Sequence, residues 1–185
     1  CLKCMQNNIQ FLHRTGVIMK VIVTGGAGFI GSNLVKSFAN AEIIVVDNLA
    51  SGNLANLRGT KCKIVNADIS KKDDWMTSFK NVDQVYHLAA LADIVPSIEN
   101  PNSYYEANVT GTLNVLEAVR KYSPNAAITY TASSSCYGKA ISHPTTERCD
   151  VSPEYPYALT KLMGEQLILH WAKVYGLKAN SCRLF

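Results

Sequence analysis

The sequence predicts an α/β domain built on a doubly wound parallel sheet, and three observations carry that expectation. Short apolar runs alternate with helical segments: Val21 to Val23, Glu42 to Asp47, Lys61 to Val65, Val82 to Leu88 and Ala126 to Thr131. They are apolar in succession instead of alternating with polar residues, the pattern of strands covered on both faces. The first run enters a turn carrying Gly25, Gly26, Gly28 and Gly31, and a helix follows. Lastly, the glycine turn, Asp47, Asp68, Ala89 and Ser133 all fall at the carboxyl ends of strands. Right-handed crossovers place ligands there in such a sheet.

Each element has its own warrant. Val21-Ile22-Val23 is the first strand, and Phe29 to Phe38 the first helix. Strand, glycine turn and helix in that order make a phosphate site, because the backbone can approach a pyrophosphate and the helix N-terminus offers unpaired N–H groups. The spacing of Gly25, Gly28 and Gly31 is G-x-x-G-x-x-G. The second strand ends in Asp47, and a carboxylate about 20 residues past such a turn meets a ribose 2′-hydroxyl. A dinucleotide site is the expectation. Asn48, Leu49, Ser51 and Gly52 have turn composition and are expected to curl past its adenosine half.

The third strand leads to Asp68 and Ile69, and Ser70-Lys-Lys-Asp73 predicts a capping box opening a helix through Trp75 and Phe79. The fourth closes on His87-Leu88-Ala89-Ala90, whose small residues suit the floor of a cofactor cleft. His87 falls at a buried strand end with no acid at fixed spacing, which favours a structural role. Ser103 to Glu106 predicts a second capping box and a long helix ending at Arg120 and Lys121. Asn108 lies mid-helix, where asparagine is mildly unfavourable, so it is marked as a possible functional residue. Ser133, Ser134 and Ser135 follow the fifth strand. Residues 139–156 read as a surface loop near the cleft. A last helix spans Tyr157 to Tyr175, with Pro156 at its first turn and Gly176 as stop, and Lys178 to Phe185 begins a sixth strand.

The 185 residues carry 48% hydrophobic residues and a formal net charge of +4. That suffices for a packed core. No run approaches the roughly 20 apolar residues of a membrane span, and the scattered charges argue against a nucleic-acid face. Cys1 and Cys4 form C-x-x-C without a second pair or a nearby histidine, so no metal site is expected and the cysteines read as reduced and cytosolic. Residues 1–18 lack a signal-peptide core and read as an extension to a domain spanning 19–185.

Tyr157 and Lys161 are four apart, on one face of a helix. A lysine beside a tyrosine favours the phenolate, lowering its pKa toward a general base's working range. Of nine tyrosines this is the only one with a lysine four residues on. With Ser133 they would surround a hydroxyl whose carbon faces a nicotinamide.

The combined motifs T-G-G-A-G-F-I-G (24–31), V-V-D-N-L (45–49), A-D-I (67–69), H-L-A-A (87–90), N-V-T-G-T (108–112), S-S-S-C-Y-G (133–138) and Y-A-L-T-K (157–161) are specific. The chain resembles the extended short-chain dehydrogenase/reductases of the NAD-dependent epimerase/dehydratase type over residues 20–185. The resemblance implies a Rossmann fold with Phe29 and Ile30 against the pyrophosphate, Asp47 on the adenosine ribose, and Asp68 with Ile69 at the adenine. It further implies that Leu88, Ala89, Ala90, Ala92, Asn108, Tyr157 and Lys161 serve the cofactor, and that Ser133, Tyr157 and Lys161 are catalytic.

Within that family, 4,6-dehydratases carry an Asp-Glu pair just after the catalytic Thr, and decarboxylases keep a Glu. Ser134 and Ser135 stand there in this chain, so it is most similar to UDP-glucose and UDP-N-acetylglucosamine 4-epimerases. One departure is Ala92, where UDP-glucose epimerases place a lysine. The resemblance implies oxidation of a UDP-sugar to a 4-keto sugar by bound NAD, hydride return to the opposite face, and a homodimer in full-length form. A reductase, dehydratase or decarboxylase of the family, or a non-catalytic NAD(P) sensor, stays open as an alternative. The family's C-terminal substrate domain is expected to follow Phe185.

Overall fold

The computed structural model describes residues 18–139 and 144–185. Residues 1–17, with Cys1 and Cys4, and residues 140–143 of the expected surface loop lie outside the described residues. Six strands form one fully parallel sheet: β1 (Met19–Thr24), β2 (Ala41–Asp47), β3 (Cys62–Asn66), β4 (Gln84–His87), β5 (Ala127–Ser133) and β6 (Lys178–Leu184). Their spatial order is β3-β2-β1-β4-β5-β6. The order reverses between β1 and β4, which opens a crevice at the carboxyl ends of the central strands.

Helices cover the sheet. They are α1 (Phe29–Ser37), α2 (Ile94–Glu99), α3 (Pro101–Tyr105), α4 (Gly111–Tyr122) and α5 (Pro156–Tyr175). Successive β-branched residues of one strand supply both faces. Ile22, Ile44, Val46, Val85 and Ile128 pack under α4 and α5, whereas Val21, Val23, Ile43 and Val45 pack under α1. Val115, Leu116 and Val119 of α4 are fully buried, and each such side chain contributes about 1.5–3 kcal/mol. At the far edge, Glu165 of α5 accepts from the Arg183 guanidinium at 2.5 Å and from Ser181 Oγ at 2.8 Å, tying the helix to β6.

Three local expectations are corrected. Ser70 does not cap a helix, because its N–H is already taken by Asp68 Oδ1 at 2.9 Å. Asp73 caps instead, and the element is a 3₁₀ turn over Asp74–Phe79. Ser103 is likewise inside a helix that begins at Pro101 and is capped by Asn100, since proline suits the first helical position. Between α3 and α4 the chain forms one π-helical turn, Glu106–Thr110, with Asn108 at its centre. Such turns accommodate an extra residue inside an otherwise continuous helix and recur at functional sites.

Candidate active site

A cleft of about 310 Å³ runs along the carboxyl ends of β1, β2, β4 and β5. One wall is the turn between β1 and α1. Gly25 sits at φ +71°, and a Cβ there would lie 2.6 Å from Ala89 N, so two strand ends meet at a distance only glycine permits. A Cβ on Gly31 would strike the Gly25 carbonyl. Gly28 caps α1 without a side-chain hydrogen bond, leaving first-turn N–H groups for a ligand. Gly25, Gly28, Phe29, Ile30 and Gly31 all line the cleft.

The second wall comes from β2 and β3. Asp47 is 8% exposed, and its carboxylate accepts from Ala27 N at 2.9 Å and Leu49 N at 2.8 Å. Asn48, Ser51, Gly52, Asp68 and Ile69 line the cleft beside it, whereas Leu49 does not. Asn114 of α4 donates from Nδ2 to the carbonyls of Ile69 and Ser70 at 2.9 and 3.0 Å, fixing the turn that carries Asp68. Nothing in the sequence pattern marked Asn114.

The floor is Leu88, Ala89, Ala90 and Ala92, joined by Leu91 and Ala107. Asn108 is 1% exposed and is not a lining residue. Its side chain grips Leu91 from behind, with Oδ1 accepting from Leu91 N at 2.8 Å and Nδ2 donating to Leu91 O at 3.0 Å. Nδ2 also reaches Thr160 Oγ1 at 3.0 Å, between Tyr157 and Lys161. The misfit asparagine therefore couples the floor to α5.

His87 is fully buried with Thr24 Oγ1 at 2.7 Å from Nδ1 and Thr112 Oγ1 at 2.9 Å from Nε2. Thr112 gives its own proton to Asn108 O at 2.6 Å, so His87 Nε2–H donates to Thr112, and Nδ1 accepts from Thr24. Ala89 N–H in turn donates to Thr24 Oγ1 at 3.2 Å. Burial, aided by the Lys161 charge, pulls the imidazole pKa down to about 3. His87 is thus a neutral tie between β1, β4 and α4.

Beyond the cleft's end stand Ser133, Tyr157 and Lys161. Ser133 closes β5, and its Oγ accepts from Ser135 N at 3.2 Å. Tyr157 opens α5 between the rings of Tyr104 and Tyr155, each 6.5 Å away. Burial raises its phenol pKa, and a hydrogen bond with Ser133 works against that rise. Lys161 is 3% exposed, its ammonium 4.4 Å above the Tyr130 ring. Burial lowers its pKa to about 8. The sequence expected the lysine to pull the tyrosine pKa down. In this arrangement burial prevails and the phenol is held high, because the ammonium lies over Tyr130.

The comparisons place the chain in a family. The model of the NAD-dependent epimerase/dehydratase family matches residues 21–185. The chain belongs to that family. Members use NAD, and the residues of this cleft fit it: a glycine turn in which a Cβ on Gly25 or Gly31 would clash, a buried carboxylate, and alanines leaving room for a flat ring. A Methanocaldococcus jannaschii protein assigned as a UDP-glucose 4-epimerase is 39% identical over 85% of this chain and 52% of its own length. The UDP-glucose 4-epimerase of Brucella ovis in complex with NAD superposes with a TM-score of 0.83 at 32% identity, covering 90% of this chain and 52% of that one. A dTDP-glucose 4,6-dehydratase of Streptomyces venezuelae, with NAD bound, matches with a TM-score of 0.82 at 28% identity over 89% and 55%. The chain spans about half the length of the relatives it matches.

Proposed function

We propose that the chain is the cofactor-binding half of a UDP-hexose 4-epimerase. The observation that carries this reading is Ser133 hydrogen-bonded to Tyr157, with Lys161 one turn along α5 and Ser134 and Ser135 next in line. An elimination or decarboxylation needs a further acid or base there, and a serine hydroxyl supplies neither at neutral pH.

Bound NAD supplies a hydride acceptor and, once reduced, a hydride donor. Tyr157 takes the proton of the sugar's 4-hydroxyl and returns it when the carbonyl is reduced from the opposite face. Ser133 holds that hydroxyl and favours the phenolate through its hydrogen bond. Lys161, one turn along α5 from Tyr157, is the cation assigned to ease deprotonation of the partly buried phenol. Gly25, Gly28 and Gly31 receive the pyrophosphate, and Asp47 the adenosine ribose. Apart from Ser133 and Tyr157 at the reacting carbon, we assign most UDP and sugar contacts to the length of the relatives that this chain does not span.

We place the full-length protein in the cytoplasm as a homodimer. Exposed apolar side chains for a partner to cover include Ile94, Val95 and Ile98 of α2, Tyr105 and Leu159. The test is to incubate the full-length protein and NAD with UDP-glucose, UDP-galactose and their N-acetylamino counterparts, then identify the products. Conversion between C4 epimers supports the reading. A 4-keto-6-deoxy product, or loss of carbon dioxide from UDP-glucuronate, would replace it with the dehydratase or decarboxylase alternative.

A further inference from the structure

Thr131 departs from the rest of the polar interior. It is 92% buried, being 8% exposed, and its Oγ1 is the one buried side-chain oxygen or nitrogen among the described residues without a hydrogen-bond partner. A hydroxyl buried in that way is costly, and nearly all such groups in folded proteins are paired. Its surroundings are otherwise fully bonded. Thr24, Thr112 and Thr160, the neighbouring buried threonines, each hold one or more partners.

Position says where the missing partner comes from. Thr131 lines the cleft. It lies two residues before Ser133, so both side chains leave β5 on the same face. The β4–β5 register pairs His87 with Tyr130, which sets Thr131 beside the floor residues Leu88 and Ala89. The glycine turn and Asp47 occupy the other end, where phosphates and adenosine belong. The end next to Ser133 and Tyr157 is the nicotinamide end. Two kinds of group there both donate and accept, the ribose hydroxyls and the carboxamide, and the carboxamide is the one carried by the ring itself.

We infer that Thr131 Oγ1 is the hydrogen-bond partner of the nicotinamide carboxamide and so fixes the rotation of the ring in the cleft. This rests on the reading of the cleft as the NAD site. A hydroxyl suits the task because it accepts from the carboxamide NH₂ or donates to its oxygen. Its place on a central strand keeps the anchor rigid.

The test compares two ligands on the full chain and on Thr131→Val, which keeps the shape and removes the hydroxyl. NAD is titrated alongside ADP-ribose, which lacks the nicotinamide. The expected result is NAD binding weakened by about three- to tenfold, the size of one neutral hydrogen bond, with ADP-ribose unchanged and NAD affinity restored in Thr131→Ser. The ligand-free variant should melt no lower than the parent, since an unpaired buried hydroxyl has been removed. Thr131→Ala carries the same comparison if the valine variant does not fold. NAD affinity untouched by the loss of the hydroxyl overturns the inference, and so does an equal loss for both ligands, which would make Thr131 a wall residue. A parent chain that binds neither ligand removes the dinucleotide reading itself, and this inference with it.

Discussion

The two ends of the cleft are made of different material. At the end proposed for phosphates and adenosine, the chain presents backbone: Gly25 against Ala89 past β4, Gly31 against the Gly25 carbonyl of the same turn, an α1 with no side-chain cap, and a carboxylate held by two main-chain N–H groups. At the end of Ser133, Tyr157 and Lys161, it presents a partly buried phenol and a buried ammonium whose protonation depends on everything packed around them. Backbone geometry is set by nearest neighbours, whereas a side chain's pKa is set by tertiary packing. The first end should therefore fail by losing cofactor, and the second by losing rate with cofactor still bound.

The largest effect is expected at the second end. Tyr157→Phe in the full-length protein keeps the ring between Tyr104 and Tyr155 and deletes only the phenol. Turnover should fall by about 10²–10⁴, the usual value of one positioned acid or base, with the NAD dissociation constant unchanged. Parallel assays of turnover and NAD binding read this directly, and near-normal turnover would remove Tyr157 from the mechanism. Gly25→Ala makes the converse case. It places a Cβ at φ +71° and 2.6 Å from Ala89 N, at a combined cost of about 2–5 kcal/mol. Urea denaturation should register that loss, and NAD titration should find binding abolished.

This contrast also explains what the sequence made legible. The glycine spacing and Asp47 were readable because only certain residue types satisfy those backbone constraints. The parallel sheet was readable because doubly buried strands leave a composition. The capping boxes misled where a neighbour took precedence, Asp68 for the Ser70 N–H and Asn100 ahead of Pro101. Asn108 announced itself as a misfit in a helix, yet its grip on Leu91 comes from a π-helical turn that no periodicity encodes. Thr131 left no mark at all, because threonine is at home in a strand and only the folded chain shows that its hydroxyl is unpaired. Helix α2 went unread, with proline inside its six residues.

Below these effects lies a pH dependence from His87, which joins the two ends through Thr24 and Thr112. Its folded pKa of about 3 lies below the ordinary 6.5. Between those values the unfolded chain binds one more proton than the folded one, so stability falls as pH falls from 6.5 toward 3. One group contributes up to about 1.4 kcal/mol per pH unit in that window. Urea midpoints from pH 7 to 4 should decline more steeply in the parent than in His87→Gln, which has no proton to gain. Identical slopes would mean that His87 is not held neutral by burial.

The smallest effect concerns which dinucleotide the backbone end selects. Asp47 gives one lone pair from each oxygen to Ala27 N and Leu49 N, and its remaining acceptor sites face the cleft. A ribose 2′-hydroxyl donates to such a site, whereas a 2′-phosphate meets like charge. Space is short as well, because a Cβ on Gly52 would lie 2.9 Å from Asp47 Oδ1. NAD should therefore bind more tightly than NADP. Asp47→Asn removes the charge but turns an amide NH₂ toward one of the two backbone donors, so part of its effect is structural and weakens both ligands alike. Only the ratio of the two dissociation constants isolates the charge. That ratio should shrink by about tenfold, or about 1.4 kcal/mol, when parent and variant are titrated with both dinucleotides. A parent that binds NADP as tightly as NAD would mean that the carboxylate serves only to brace the turn.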